Sequence, residues 1–276
     1  MQTRLSSWFA RAVVLMLVIA VAAPQPAAAS AYPASMASLG DSITRAFNTG
    51  NIPFKDAPDN SWSTGINPSV NSLYSRLLVL EPAISGHDYN LAKSGSKMSD
   101  LAGQVTQANA QHVEYVTILL GANDACAGAE AAMTSVQTFH DQFYAALSAL
   151  ALGSPDAKVF VVSVPNVYRL WELFHNNAAA RRAWRAGRIC QTMLANPTST
   201  RQADVNRRAR VLQRVADYNT QLAAVCALFA NCHTDSGTAF NTTFVTSDVS
   251  TRDYFHPSLA GQAKIAAVLW SYAIVP

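Results

Sequence analysis

The stretch Val113-Glu114-Tyr115-Val116-Thr117-Ile118-Leu119-Leu120, closed by Gly121-Ala122-Asn123-Asp124, carries the fold in its pattern. A β-branched and aliphatic run of this kind, broken by a single charge, reads as a strand buried on both faces. A second buried run, Val-Phe-Val-Val-Ser-Val over residues 159–164, repeats the signal. Between them Met133, Val136, Phe139, Phe143, Leu147 and Leu150 recur at helical spacing. Working outward, residues 36–40 read as a small strand, 70–80 as a helix and 89–92 as a brief extended piece. Residues 99–109 read as a helix with Ser99 as N-cap. Downstream a helix is expected around residues 203–230, and Ile265, Val268, Leu269 and Tyr272 mark a last one. Strands separated by helices predict an α/β fold, a three-layer α/β/α sandwich around a mostly parallel sheet. No repeat, low-complexity tract or linker interrupts residues 30–276, so one domain is expected there.

The chain has 276 residues, 50% hydrophobic, 13% charged and 9% aromatic. That composition excludes disordered and collagen-like chains. Residues 1–29 read as a secretory signal peptide: Arg4 and Arg11 with no acid, an apolar run over residues 12–23, then Pro24, Pro26 and Ala27-Ala28-Ala29. A twelve-residue run rises only about 18 Å as a helix, too short for a membrane anchor. Removal of that segment leaves 18 basic against 17 acidic residues, which argues against nucleic acid as a partner. An exported chain meets an oxidising compartment, where its four cysteines are expected to pair. Three pairings are open. The short spacing of Cys226 and Cys232 favours a local bridge, leaving Cys126 with Cys190.

The α/β-hydrolase elbow Gly-x-Ser-x-Gly is absent, because Gly40-Asp41-Ser42 continues as Ile43-Thr44. Ser42 nevertheless follows a strand at a glycine turn, and ligands of open parallel sheets bind beyond the strand C-termini. Three other segments fall at comparable places: Lys93-Ser94-Gly95-Ser96, Gly121-Ala122-Asn123-Asp124 and Asp253-Tyr254-Phe255-His256-Pro257. Together with Ser38-Leu39-Gly40-Asp41-Ser42-Ile43-Thr44 they resemble, in order, the four blocks of the GDSL or SGNH hydrolase family. The resemblance implies a flavodoxin-like sandwich and a serine esterase needing no metal and no cofactor.

The roles that follow have physical sense. A serine hydroxyl is a poor nucleophile until a base takes its proton, and His256 is the candidate base. Asp253, three residues earlier, is placed to accept the other ring N–H and stabilise the imidazolium. A milder loss is expected from Asp253→Asn than from removing Ser42, with backbone carbonyls taking over the orientation of the ring. By resemblance the oxyanion hole is the backbone N–H of Ser42, that of Gly95 and the side-chain amide of Asn123. Asp41 and Asp124 are expected to brace loops. His87, His112, His140, His175 and His233, outside any motif, are expected to be structural or solvated.

From residue 168 to 214 the composition changes. Trp171, Phe174 and Trp184 interleave with Arg181, Arg182, Arg185 and Arg188, then with Arg207, Arg208, Arg210 and Arg214. Two readings stand: a helical excursion with aromatics packed inward, or a lipid-facing insertion that draws the protein to an anionic membrane or micelle surface, tested by charge reversal at Arg181 and Arg185. The segment Asn60-Ser61-Trp62-Ser63-Thr64-Gly65 is similar to the secreted lipase and phospholipase A branch known from actinomycetes. The expectation is an exported esterase acting on lipid esters through an acyl-enzyme on Ser42. Its partners are ester substrates, with no nucleic acid and no obligate protein partner. Alternatives are a carbohydrate O-acetylesterase and a non-catalytic secreted binding protein.

Overall fold

The computed structural model describes residues 31–273, so the expected signal peptide lies outside the described residues. Among these residues one sheet has the order β2-β1-β3-β4-β5, with β1 (Met36–Gly40), β2 (Asp88–Asn90), β3 (Tyr115–Leu119), β4 (Lys158–Val161) and β5 (Cys232–Thr234). Every pair is parallel. β1 and β3 are buried along their whole length, as the nearly continuous apolar run of β3 requires.

The helices are α1 (Leu73–Leu80), α2 (Leu101–Ala110), α3 (Ala122–Ala125), α4 (Val136–Gly153), α5 (Tyr168–Phe174), α6 (Ala178–Ala186), α7 (Gln191–Leu194), α8 (Gln202–Cys226), α9 (Thr238–Asn241) and α10 (Leu259–Ala273). The fold is a three-layer α/β/α sandwich. One layer is α2, α4 and α8 side by side, and the other contains α1 packed on α10. Ser72 and Ser135 cap α1 and α4, each accepting the N–H three residues on.

Some expectations move. Ser99 caps nothing: it sits inside the 3-10 turn Met98–Asp100, and the Asp124 carboxylate takes the Met98 N–H instead, delaying α2 to Leu101. Met133 precedes α4, because Ser135 claims the cap two residues later. β4 ends at Val161, ahead of Pro165. The edge strand β5 and the short helices of residues 168–194 lacked a periodic signal of their own.

Sheet order decides where a site forms. From β1 the chain crosses to β2 on one side and then to β3 on the other, so the connections diverge at β1, the crevice position of open α/β sheets. The register sets Ser38 beside Asn90 and Gly40 beside Leu119. The loops carrying Ser42, Gly95 and Asn123 therefore leave adjacent strands at one edge.

Candidate active site

Ser42 begins a tight turn whose glycine is forced by crowding: a Cβ on Gly40 would stand 2.5 Å from the Leu119 carbonyl oxygen and 2.6 Å from Thr44 Oγ1. Two buried glutamines hold the turn. Gln104 of α2 accepts the Gly40 N–H (2.7 Å) and donates to the Gly40 carbonyl (2.9 Å). Gln262 of α10 donates to the Ile43 carbonyl (2.8 Å) and accepts the Trp62 N–H (2.9 Å). With its backbone held from both helical layers, Ser42 keeps its hydroxyl free for another partner.

That partner comes from the far end of the chain. His256 Nε2 lies 2.8 Å from Ser42 Oγ, and His256 Nδ1 lies 2.7 Å from Asp253 Oδ2. The loop between Asp253 and His256 is self-closing. Val249 bridges Pro257, Ser250 donates to the His256 carbonyl (2.9 Å), and Asp253 Oδ1 accepts the N–H groups of Phe255 (2.9 Å) and His256 (3.0 Å). Phe47 and Phe255 pack on the imidazole, at centroid distances of 4.8 and 5.0 Å. A carboxylate at Nδ1 leaves the proton there and Nε2 free to accept the serine proton. Burial pushes the Asp253 carboxyl up, but the hydrogen bonds and charge of His256 outweigh it and hold the group below the usual carboxylate range.

Hydrogen-bond donors of the kind that would meet a developing oxyanion face the same space. Gly95 has φ +85° and nothing within 4 Å of where a Cβ would stand, so the residue type is required by conformation and the approach is open. Among the described residues neither the Ser42 nor the Gly95 backbone N–H has a protein acceptor. Asn123 gives one amide hydrogen to the Ser96 carbonyl (3.0 Å), which fixes the group and leaves its second hydrogen available. Ser42, Gly95, Asn123 and His256 line one open pocket, walled by Cys126, Ile189 and Cys190.

The structure thus brings together Ser42, His256, Asp253, Gly95 and Asn123. Cys126 is bonded to Cys190 and Cys226 to Cys232. The Cys126–Cys190 bridge closes a separation of 64 residues, a constraint worth about 4 kcal/mol in the chain-entropy picture, and it pins α7 to the end of α3 at the pocket rim. The aromatics of the arginine-rich stretch turn inward: Trp184 is buried and donates to the Tyr254 carbonyl (3.0 Å), and Arg208 is buried over the Trp171 ring. Arg207 and Arg214 bind backbone carbonyls, and Arg210 pairs with Glu130. Arg182, Arg185 and Arg188 remain exposed with no acidic partner among the described residues. Of the histidines outside the motif, His233 stacks on Phe160 and His140 pairs with Asp141.

Sequence reasoning missed three polar residues. Gln104 and Gln262 fall on the apolar stripes of α2 and α10, and that misplaced polarity was the available signal. Asn48 gave no signal. Its amide donates to Asp253 Oδ2 across 205 residues of sequence.

Asp41 is fully buried, with Oδ1 accepting the Ile43 N–H and Oδ2 accepting from no described residue. Burial pushes its carboxyl from 3.8 up to about 6. The folded protein therefore binds the Asp41 proton more tightly than the unfolded chain does. The stability from this group is complete below the unfolded value and lost as pH rises through the folded one. Denaturant titrations of the wild type should show this group's contribution falling by about 2 kcal/mol from near pH 4 to near pH 7. Asp41→Asn should remove that increment from the pH slope; an unchanged slope would contradict the assignment.

A family model for the GDSL-like lipase/acylhydrolase family matches residues 38–264, from β1 past His256. Among solved structures, the chain is similar to an extracellular lipase from Streptomyces rimosus at 18% identity and TM-score 0.52, over 87% of this chain and 99% of that one. A phospholipase A1 from Streptomyces albidoflavus NA297 gives 16% identity and TM-score 0.49, over 87% and 99% of the two chains. A family 3 carbohydrate esterase from Clostridium thermocellum gives 15% identity and TM-score 0.49, over 86% and 93%. No curated protein matches. At such identities the likeness to the Streptomyces rimosus lipase shows the shared fold alone.

Proposed function

This chain belongs to the GDSL-like lipase/acylhydrolase family, and on that premise we propose that it is a secreted serine esterase acting on lipid esters of the lipase or phospholipase A type. The observation that carries the proposal is the continuous relay from Ser42 Oγ through His256 to Asp253, beside unfilled hydrogen-bond donors. In this reading His256 takes the Ser42 proton as the hydroxyl attacks the ester carbonyl. The tetrahedral oxyanion is met by the N–H groups of Ser42 and Gly95 and by Asn123, and His256 then protonates the departing alcohol. Water repeats the sequence on the acyl-enzyme. Residues 1–29 act as the signal peptide, and the two disulfides support an oxidising destination.

Two features favour fatty acyl esters over sugar acetates. A second, mostly apolar pocket, which shares His256 and Phe255 with the first, is lined by Ile43, Leu170, Leu173, Phe244, Val249 and Phe255, a lining suited to hydrocarbon. The exposed Arg188 directly precedes the rim residues Ile189 and Cys190, and the exposed Arg182 and Arg185 stand on α6 just before it in the chain, an arrangement suited to an anionic interface. The test is a panel of p-nitrophenyl acetate, a long-chain p-nitrophenyl ester, phosphatidylcholine with and without anionic lipid, and acetylated xylan. The long-chain and phospholipid substrates should be preferred. Preference for acetylated xylan would favour the O-acetylesterase reading. Arg182→Glu with Arg185→Glu should cut hydrolysis on anionic vesicles by about tenfold or more and leave the soluble acetate unaffected. Equal losses on both would reject the interfacial role.

A further inference from the structure

The Asp253 carboxylate is held by more than its own loop. Oδ1 accepts two backbone N–H groups, while Oδ2 accepts both His256 Nδ1 and the side-chain amide of Asn48, the latter at 2.5 Å. Asn48 is buried and has a left-handed backbone (φ +68°), which its residue type tolerates better than most. Its amide has one possible orientation. Oδ1 accepts the Phe54 N–H at 2.6 Å, so Nδ2 must be the atom facing Asp253. The surrounding turn is fixed independently, by the Asn48 N–H to the Lys55 carbonyl (3.0 Å) and by Arg252 donating to the carbonyls of Asn48 (3.0 Å) and Gly50 (2.7 Å).

We propose that Asn48 is a positioning residue for the esterase chemistry, its amide fixing the Asp253 carboxylate in the orientation that presents Oδ2 to His256. The proposal rests on the hydrolase reading above. Without the amide, Oδ2 keeps only the imidazole and is free to swing from it, so the relay loses its defined geometry. The charged groups facing this array are Asp41, on the Ser42 turn and electrostatically coupled to His256, and Arg252, on the Asp253 loop. Neither changes in the variants below.

Two substitutions separate positioning from folding. Asn48→Asp is isosteric and keeps an acceptor for Phe54, but turns the donor to Asp253 into a second carboxylate. Asn48→Gly keeps the left-handed turn and deletes the side chain. Both should lower kcat on a soluble ester by about 10–100-fold with KM changing less than about threefold, in the range usual for outer-shell partners. Asn48→Asp should also move the acid limb of the pH–rate profile to higher pH, because added negative charge favours the protonated imidazole. Thermal melts of both variants report folding, and fluorophosphonate labelling of the wild type at Ser42 reports the reading beneath. With the wild type labelled, kcat within twofold and an unmoved limb in Asn48→Asp would overturn the role of Asn48 alone. A wild type that is folded and unlabelled would bring down both.

Discussion

Ser42→Ala is expected to lower kcat by about 10⁴–10⁶-fold while leaving the melting transition nearly unchanged. The separation of the two effects follows from how the turn is built. Its backbone is held by Gln104 on one side and Gln262 on the other, and among the described residues the Ser42 hydroxyl reaches only His256. Removing the hydroxyl therefore deletes the proposed nucleophile without unpinning the loop. What survives is the proposed oxyanion donor set of Gly95, Asn123 and the residue-42 N–H, and any remaining acceleration over water is expected to come from that set. A parallel loss of stability would mean that Ser42 has a structural partner the hydrogen-bond pattern does not contain.

Asp253→Asn is the second large effect, expected at about 10⁴-fold in kcat. The sequence alone suggested a milder loss, with backbone carbonyls partly taking over the orientation of the histidine. The geometry argues otherwise, because among the described residues only Asp253 accepts from His256 Nδ1. The backbone N–H groups of Phe255 and His256 both point at Oδ1, so an asparagine would keep its oxygen there. Its NH₂ would then face His256 Nδ1 and also the Asn48 amide. The ring would have to accept at Nδ1 and carry its proton on Nε2, where it cannot act as base toward Ser42. Kinetics on the soluble ester, with circular dichroism as the folding control, check this; a loss below about tenfold would restore the backbone-carbonyl account.

How far the sequence foretold these arrangements depends on the range of each interaction. β1 was legible to its last residue, since Gly40-Asp41 ends the strand locally. β3 and the central turns of α4 and α8 were legible for the same reason: their own residues fill both faces of the sheet or one stripe of a helix. The start of α2 was not, because it is set by Asp124, 26 residues downstream of Met98. β5 is three residues on an edge, held by its pairing with β4 and by the Cys226–Cys232 bridge rather than by pattern. At the site, the motif residues carried their own labels. The residues that brace them did not, since Gln104, Gln262 and Asn48 act over 64, 219 and 205 positions.

The most direct measurement is intact-mass and peptide-map analysis after treatment with a fluorophosphonate, which reacts with an activated serine. The predicted result is a single adduct on Ser42, lost or slowed by orders of magnitude in His256→Ala. Absence of an adduct on the folded wild type, or an adduct on a different serine, would contradict the proposed pairing of Ser42 with His256.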